Sequence, residues 1–529
     1  MIGFHIDMNT AHFTRAYLEK WLKELAICGY DTIIWELEAS IKWDACPECS
    51  SPEAFGKSEF KEILKLSVSL GFENIPLLQT LGHCEYVLKF EKFKKYAEKK
   101  DCIEQYCPKN PELILFLKNW MDEYIELFGD IRYFHIGADE TEYLGVCDKC
   151  RSFVSENSVS QLYVEYINDI CSHLISKNIT PAIWADMILH YSEMIDKLSN
   201  KIVIFDWMYD IHRGDGRIWI WKEGKLFDGK TIPETTLEEF GEYIYPFGNE
   251  PGRDPETFYT ADYLAHKGFT VVTCPASSGY GDTVFAPRHY YHLCNTYDSF
   301  QKGRASNLAG SVLTSWTVHL SLYEMQLSCI KLPSYLYSNP RNSISDYWQY
   351  FSEKMFGLKD SQNLMKALGL VSKACSFSSA PQLGYTKANL DVPNEYILNK
   401  LEELSRSNLL EESINFNKLR LDEYKRGLDA LTDLKADAER GRDILEYWCL
   451  AAENLINRAE ASIYLFQIKL KKTKGAENIC FYEKGKILKK MSALKIKTHR
   501  AYSNAIKPLK LKQYLHWMYD SIEYALNKI

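Results

Sequence analysis

Tyr133-Phe134-His135-Ile136-Gly137-Ala138-Asp139-Glu140 is an apolar run that stops at two adjacent carboxylates. Aromatic and β-branched residues favour an extended segment, Gly137 lets another group approach the backbone, and neighbouring acids are costly to ionise together in a partly buried place. The stretch therefore reads as a strand that delivers charge to a site. Working outward, comparable runs recur along the first part of the chain. Strands are predicted at Ile2–Asp7, Thr32–Leu37, Asn74–Gln79, Tyr133–Gly137, Thr180–Ala185, Ile202–Asp206, Thr270–Cys274 and Gly310–Ser315. Amphipathic helical stretches lie between them, the alternation that gives parallel strands with crossover helices. Eight such strands across residues 1–335 predict an α/β fold, a (β/α)₈ TIM barrel with its functional groups at the strands' C-terminal ends.

An insertion near residues 215–254 follows the sixth strand. There Arg217-Ile218-Trp219-Ile220-Trp221 and Lys225-Leu226-Phe227 flank Lys222-Glu223-Gly224, a hairpin signal. It is either a flap or substrate wall beside the active face, or a surface hairpin with its own small cluster. After the turn-rich Ser338-Asn339-Pro340-Arg341-Asn342-Ser343 the pattern becomes helical only, which predicts an all-α C-terminal domain over residues 344–529. Leu431 to Leu470 contains no proline, as long bundle helices require, and Tyr447, Trp448, Leu455, Tyr464 and Leu465 read as bundle core.

At 529 residues the chain exceeds the size at which one core usually stops growing, in keeping with two domains. A formal net charge of -8 and the absence of a polybasic arm give no reason to expect nucleic acid or an anionic membrane as partner. No stretch is long and apolar enough to span a bilayer. Met1–His5 runs into Ile6, Asp7, Met8 and Asn9 without the basic and apolar regions of a secretory leader, and the fifteen cysteines are odd in number. The expected location is a reducing cytoplasm.

The strand ends collect a consistent chemistry. They carry Gln79-Thr80-Leu81-Gly82-His83, Asp139-Glu140, Trp184-Ala185-Asp186, Asp206-Trp207 and Thr314-Ser315-Trp316. Several tryptophans and acids at one mouth suit the apolar faces and hydroxyls of a sugar ring. These runs, with Pro181-Ala182-Ile183-Trp184-Ala185-Asp186-Met187 and Leu313-Thr314-Ser315-Trp316 in the same order, resemble glycoside hydrolase family 20, the β-N-acetylhexosaminidases, and within it the intracellular hexosaminidase D branch.

The resemblance implies retaining, exo-acting hydrolysis of a terminal β-linked GlcNAc or GalNAc, with the substrate's own acetamido oxygen as nucleophile and no catalytic cofactor. By the motif match Glu140 is the acid/base, and Asp139 stays ionised to hold the acetamido N–H and stabilise the oxazolinium intermediate. A negative Asp139 is expected to raise the pKa of Glu140. In a regular strand adjacent side chains point to opposite faces, so both acids serve one site only if the strand ends at or near them. The resemblance makes Trp184, Trp207 and Trp316 aromatic walls and His83 an organiser of the acid region. Asp186 and Asp206 are open between supporting partners and sugar ligands.

Departures from the family pattern are equally specific. Asp7-Met8-Asn9-Thr10 stands where many members carry an arginine for O3 and O4, and Val318 stands where a glutamate is common. Tyr280 and Asp282 are candidates for the tyrosine and aspartate after the seventh strand. Two other readings stay open: a related glycosidase for a modified amino sugar, and a sugar-binding barrel without turnover. The expected partner is a carbohydrate ending in N-acetylhexosamine, with a homodimer left open.

Two Cys-x-x-Cys knuckles, Cys46-Pro47-Glu48-Cys49 and Cys147-Asp148-Lys149-Cys150, lie after the second and fourth strands. Four thiolates are the usual structural zinc set, and the barrel would bring both loops to one face. Unligated thiols, or a disulfide or redox pair, are the alternatives. Cys28, Cys171 and Cys449 read as apolar fillers.

Overall fold

Eight parallel strands close into a barrel in the computed structural model, which describes residues 1–209, 211–248, 254–319, 321–379, 393–474 and 483–529. They are β1 (Ile2–Asp7), β2 (Thr32–Glu36), β3 (Glu73–Leu77), β4 (Tyr133–His135), β5 (Thr180–Trp184), β6 (Val203–Trp207), β9 (Thr270–Cys274) and β10 (Gly310–Ser315). These eight run in that order and β10 returns to β1, with Ile2 opposite Ser311 and Phe4 opposite Leu313. All five residues of β2 are buried, as in a sheet covered on both faces.

The predicted strands are all present, and β4 is the informative difference. It stops at His135, two residues earlier than expected, because Gly137 (φ 67°), Ala138 (φ 73°) and Glu140 (φ 46°) take left-handed backbone that no strand accommodates.

The insertion forms the expected antiparallel hairpin, β7 (Arg217–Ile220) and β8 (Lys225–Asp228), with Gly224 left-handed at its turn. Its tryptophans, Trp219 and Trp221, pack against Met208, Ile211 and Phe258. The end of the insertion at 249–253 lies outside the described residues.

Contacts divide the chain into two compact units. One comprises Met1–Asn9, Leu18–Ala276 and Cys294–Ser315 and contains the barrel strands; the other comprises Thr10–Tyr17, Ser277–Leu293 and Trp316–Ile529. The units therefore interleave in sequence. In the second, Ser343 and Asp346 form a reciprocal cap that starts the helix Ile344–Phe356, and left-handed Gly357 ends it.

The long proline-free run breaks at Gly441 (φ 61°) into two helices, Leu410–Asp437 and Arg442–Lys474, which pack along one another. Trp448, Leu455 and Leu465 are buried there as expected, while Tyr447 and Tyr464 are half-buried. Among the described residues no helix is long and apolar enough to cross a membrane. Cys28, Cys171 and Cys449 are buried.

Candidate active site

The site begins where β4 gives way to its turn. His135 is fully buried, and burial lowers its pKa to about 3, so the ring is neutral and Nδ1 can accept the Gly137 N–H at 3.0 Å. Gly137 has no substitute here: a Cβ would lie 1.9 Å from Gln79 Oε1 and would sit at positive φ. On the facing loop a Cβ on Gly82 would lie 2.2 Å from the Asp139 carbonyl oxygen. Two glycines thus let the loops after β3 and β4 touch.

That contact places His83, itself left-handed (φ 53°), between the acids. Its Nε2 lies 3.2 Å from Asp139 Oδ2 and 3.2 Å from Glu140 Oε2. The acids are otherwise unlike. Asp139 is buried and its Oδ1 has no hydrogen-bond partner, whereas the Glu140 side chain is 52% exposed. The early end of β4 and the left-handed residues after it bring both carboxylates to one imidazole. Non-glycine residues in this backbone region carry a cost, so three of them here indicate a geometry held by its surroundings.

Asp186 supports the pair from the loop after β5. Its Oδ2 accepts the Glu140 backbone N–H at 2.8 Å, and its Oδ1 accepts Trp207 Nε1–H at 3.3 Å. Burial first, and then the Asp139 charge, push the Asp186 carboxyl well above the usual range. Asp206 is buried too, accepts the Thr260 hydroxyl at 2.8 Å, and is raised by burial to about 7. Asp186 spends both oxygens on supporting bonds, whereas Asp206 Oδ1 is buried without a hydrogen-bond partner.

Trp207 is joined to this network through its bond to Asp186. It is half-buried, stacks on Tyr209 (4.9 Å between ring centroids) and meets Trp221 of the hairpin edge-on (4.4 Å). The insertion thus reaches Trp207 through Trp221, while Trp219 and Trp221 also pack in a small cluster with Met208, Ile211 and Phe258. Trp184 corrects an expectation: it is fully buried, with its ring 4.3 Å from His135 and 6.0 Å from Phe205. An enclosed ring cannot stack on a sugar, so Trp184 shapes the floor behind the acids.

Tyr280, Asp282 and Trp316 belong to the second unit. Trp316 is half-buried and its backbone N–H reaches Ser278 O at 3.1 Å, while Tyr280 is exposed. Asp282 is wholly buried. It accepts the Gly279 and Arg288 backbone N–H groups, each at 2.9 Å, Arg288 Nε–H at 3.3 Å and His292 Nε2 at 2.8 Å. Burial alone would raise its pKa, but His292 and Arg288 outweigh burial and hold the carboxyl at about 2. The expected sugar ligand is thus spent on folding its own loop.

A buried group beneath the site escaped the sequence reading. Glu36, at the end of β2, accepts from His5 Nε2 at 3.0 Å and Gln79 Nε2 at 3.1 Å. The signal was present: Thr32-Ile33-Ile34-Trp35-Glu36 is another apolar run that stops at an acid.

The proposed four-cysteine set is also corrected. Cys46 and Cys49 are bonded to each other, and Cys147 and Cys150 meet Cys107 and Glu98 instead. Local geometry explains the pairing: Cys46 precedes and Cys49 ends one short helical turn, Pro47–Cys49, which brings their sulfurs together.

Residues 16–216 match the Glycosyl hydrolase family 20, catalytic domain. The chain is 28% identical over 250 residues to Hexosaminidase D of Bos taurus, covering 43% of this chain and 71% of that one. It is also 28% identical over 189 residues to Hexosaminidase D of Homo sapiens, covering 35% and 39%. Among solved structures, beta-N-acetylhexosaminidase from Bacteroides fragilis NCTC 9343 aligns with a TM-score of 0.47 at 17% identity, over 66% of this chain and 69% of that one. Residues 16–216 are accordingly similar to a glycosyl hydrolase family 20 catalytic domain, and the matches together support a glycoside hydrolase activity.

Proposed function

We propose that the protein is an exo-acting β-N-acetylhexosaminidase that removes terminal β-linked GlcNAc or GalNAc with retention, using the substrate's acetamido oxygen as nucleophile. The observation that carries this reading is one imidazole nitrogen 3.2 Å from two dissimilar carboxylates, one buried and one half-exposed. The names of the two relatives support the substrate class.

Nε2 carries one hydrogen, which serves one carboxylate well. In our reading it serves Asp139, which stays ionised, and Glu140 keeps its own proton. The unpartnered Asp139 Oδ1 then accepts the acetamido N–H and turns the acetamido oxygen toward the anomeric carbon. As that oxygen attacks, Glu140 donates its proton to the departing glycosidic oxygen. The positive charge of the cyclic intermediate is stabilised beside Asp139 in a water-poor setting. Glu140, now ionised and open to solvent, takes a proton from the water that opens the ring.

Chromogenic β-GlcNAc and β-GalNAc glycosides test the reading. Glu140→Gln is expected to lower kcat/KM by about 10²–10⁴-fold with an unchanged fold. Full activity in that variant rejects the acid assignment. A wild type inert on both sugars rejects the substrate class and favours the reading as a sugar-binding barrel, for which the absent arginine at Asp7–Thr10 is the specific observation.

A further inference from the structure

We propose that Glu98, Cys107, Cys147 and Cys150 form a structural zinc site that staples the loop after β3 to the loop carrying the acid pair. One ligand atom from each residue lies within 4.8 Å of all the others. Cys107 Sγ is 3.4 Å from Cys147 Sγ and 3.6 Å from Cys150 Sγ, and Glu98 Oε2 is 3.2 Å from Cys150 Sγ. Thiolates around a tetrahedral zinc, each bonded at about 2.3 Å, sit about 3.8 Å apart, so small outward shifts complete the coordination.

The surroundings are those of a metal site. Glu98 is 2% exposed, and its Oε1 accepts the backbone N–H groups of Val146 (2.8 Å) and Cys147 (3.1 Å), which turns Oε2 toward the sulfurs. Cys147 caps the helix Asp148–Glu156, and its sulfur accepts the Cys150 N–H at 3.4 Å. Leu162, Phe153 and Val154 pack around the thiols. A cleft of about 580 Å³ lined by Glu98, Cys147 and Asp148 together with Lys94, Lys99 and Lys100 borders the cluster.

A disulfide accounts for this cluster less well. Joining two of the three thiols would leave the third beside a buried carboxylate whose partners among the described residues are the Val146 and Cys147 amides and Cys150. A dication satisfies all four groups at once, and sulfur-rich four-fold coordination selects zinc over calcium or magnesium. Each thiol passes its proton to solvent as it binds, so affinity falls as pH falls. Four protein ligands leave no position for a reacting water, which makes the role structural.

The staple reaches the acids through short links. Tyr106 N–H bonds Leu81 O at 2.9 Å and Cys84 N–H bonds Glu104 O at 3.1 Å, on either side of His83, while Tyr143 N–H bonds Gln105 Oε1 at 2.7 Å beyond Glu140.

Metal analysis of the full chain, purified reduced and without chelator, is expected to give about one zinc per chain. Cys107→Ser and Cys150→Ser should bring it to background, and Cys46→Ser and Cys102→Ser should leave it intact. Because ligand variants can misfold, cobalt substitution of the wild type supplies a second readout: tetrahedral cobalt absorption with sulfur-to-cobalt charge transfer. Three results overturn the proposal. They are no zinc together with no such cobalt spectrum, a disulfide joining Cys107 to Cys147 or Cys150 by non-reducing mass spectrometry, and zinc lost in Cys46→Ser but kept in a folded Cys107→Ser.

Discussion

Asp139 and Asp282 are both buried aspartates in contact with a histidine, yet they are built for opposite ends. Asp139 keeps one oxygen without a partner, and its near neighbours include two further acids, Glu140 and Asp186. Asp282 fills its acceptor sites with two backbone amides, a guanidinium and an imidazole, and its pKa drops accordingly. An acid whose bonds are complete holds a loop. One left incomplete among like charges is available to a ligand, and a buried acceptor without a partner is costly unless something arrives to use it.

The largest effect that would break this contrast is on turnover. Asp139→Asn is expected to lower kcat on N-acetylhexosaminides by about 10²–10³-fold, with an unchanged denaturation midpoint. A large loss of stability with little loss of turnover would make Asp139 structural as well. Asp282→Asn should behave the other way, costing on the order of 3 kcal/mol of folding stability because the buried carboxylate loses its charge-assisted bonds to Arg288 and His292. Equilibrium denaturation checks this, and an unchanged midpoint would show that the loop holds without the pair.

Asp186 should give an effect of intermediate size. Burial and the Asp139 charge push its carboxyl well above the usual range, and Asn keeps one of its two acceptors, so Asp186→Asn should lose less activity than Asp186→Ala. Asp186→Ala, which frees the Glu140 backbone and Trp207, should lose on the order of ten- to a hundredfold. Equal losses in both would mean that charge at Asp186 matters.

The smallest effect is one of pH. Asp206 titrates near 7 when folded and near 4 when unfolded, so its contribution is fully present below about pH 4 and is lost as pH rises through about 7. Asp206→Asn should therefore stabilise the protein more at pH 8 than at pH 5. Asp282, held at about 2, has the opposite sign: its contribution is present above about pH 4 and is lost as pH falls through about 2. Unfolding midpoints measured across pH separate the two.

Much of this molecule is legible in the residues. Apolar runs of strand length, spaced by amphipathic stretches, give the eight strands, because a barrel strand buried on both faces needs little from distant partners to be recognised. Gly224 marks the hairpin and Ser343 with Asp346 marks a helix start, since turns and caps are local chemistry. The acid pair at the end of β4 is readable for the same reason.

Tertiary structure decided the rest. The Cys-x-x-Cys spacing is identical in the two knuckles, but only the packed loops put Cys107 and Glu98 beside the second and leave the first to close on itself. Asp282 and Trp184 have the composition of ligands, and only burial reveals that their surfaces are already used. The sequence determined which groups reach the mouth of the barrel, because strand period and strand ends are local properties. Which of them keep a free face or a free oxygen depends on neighbours far away along the chain, and that is settled only when the loops meet.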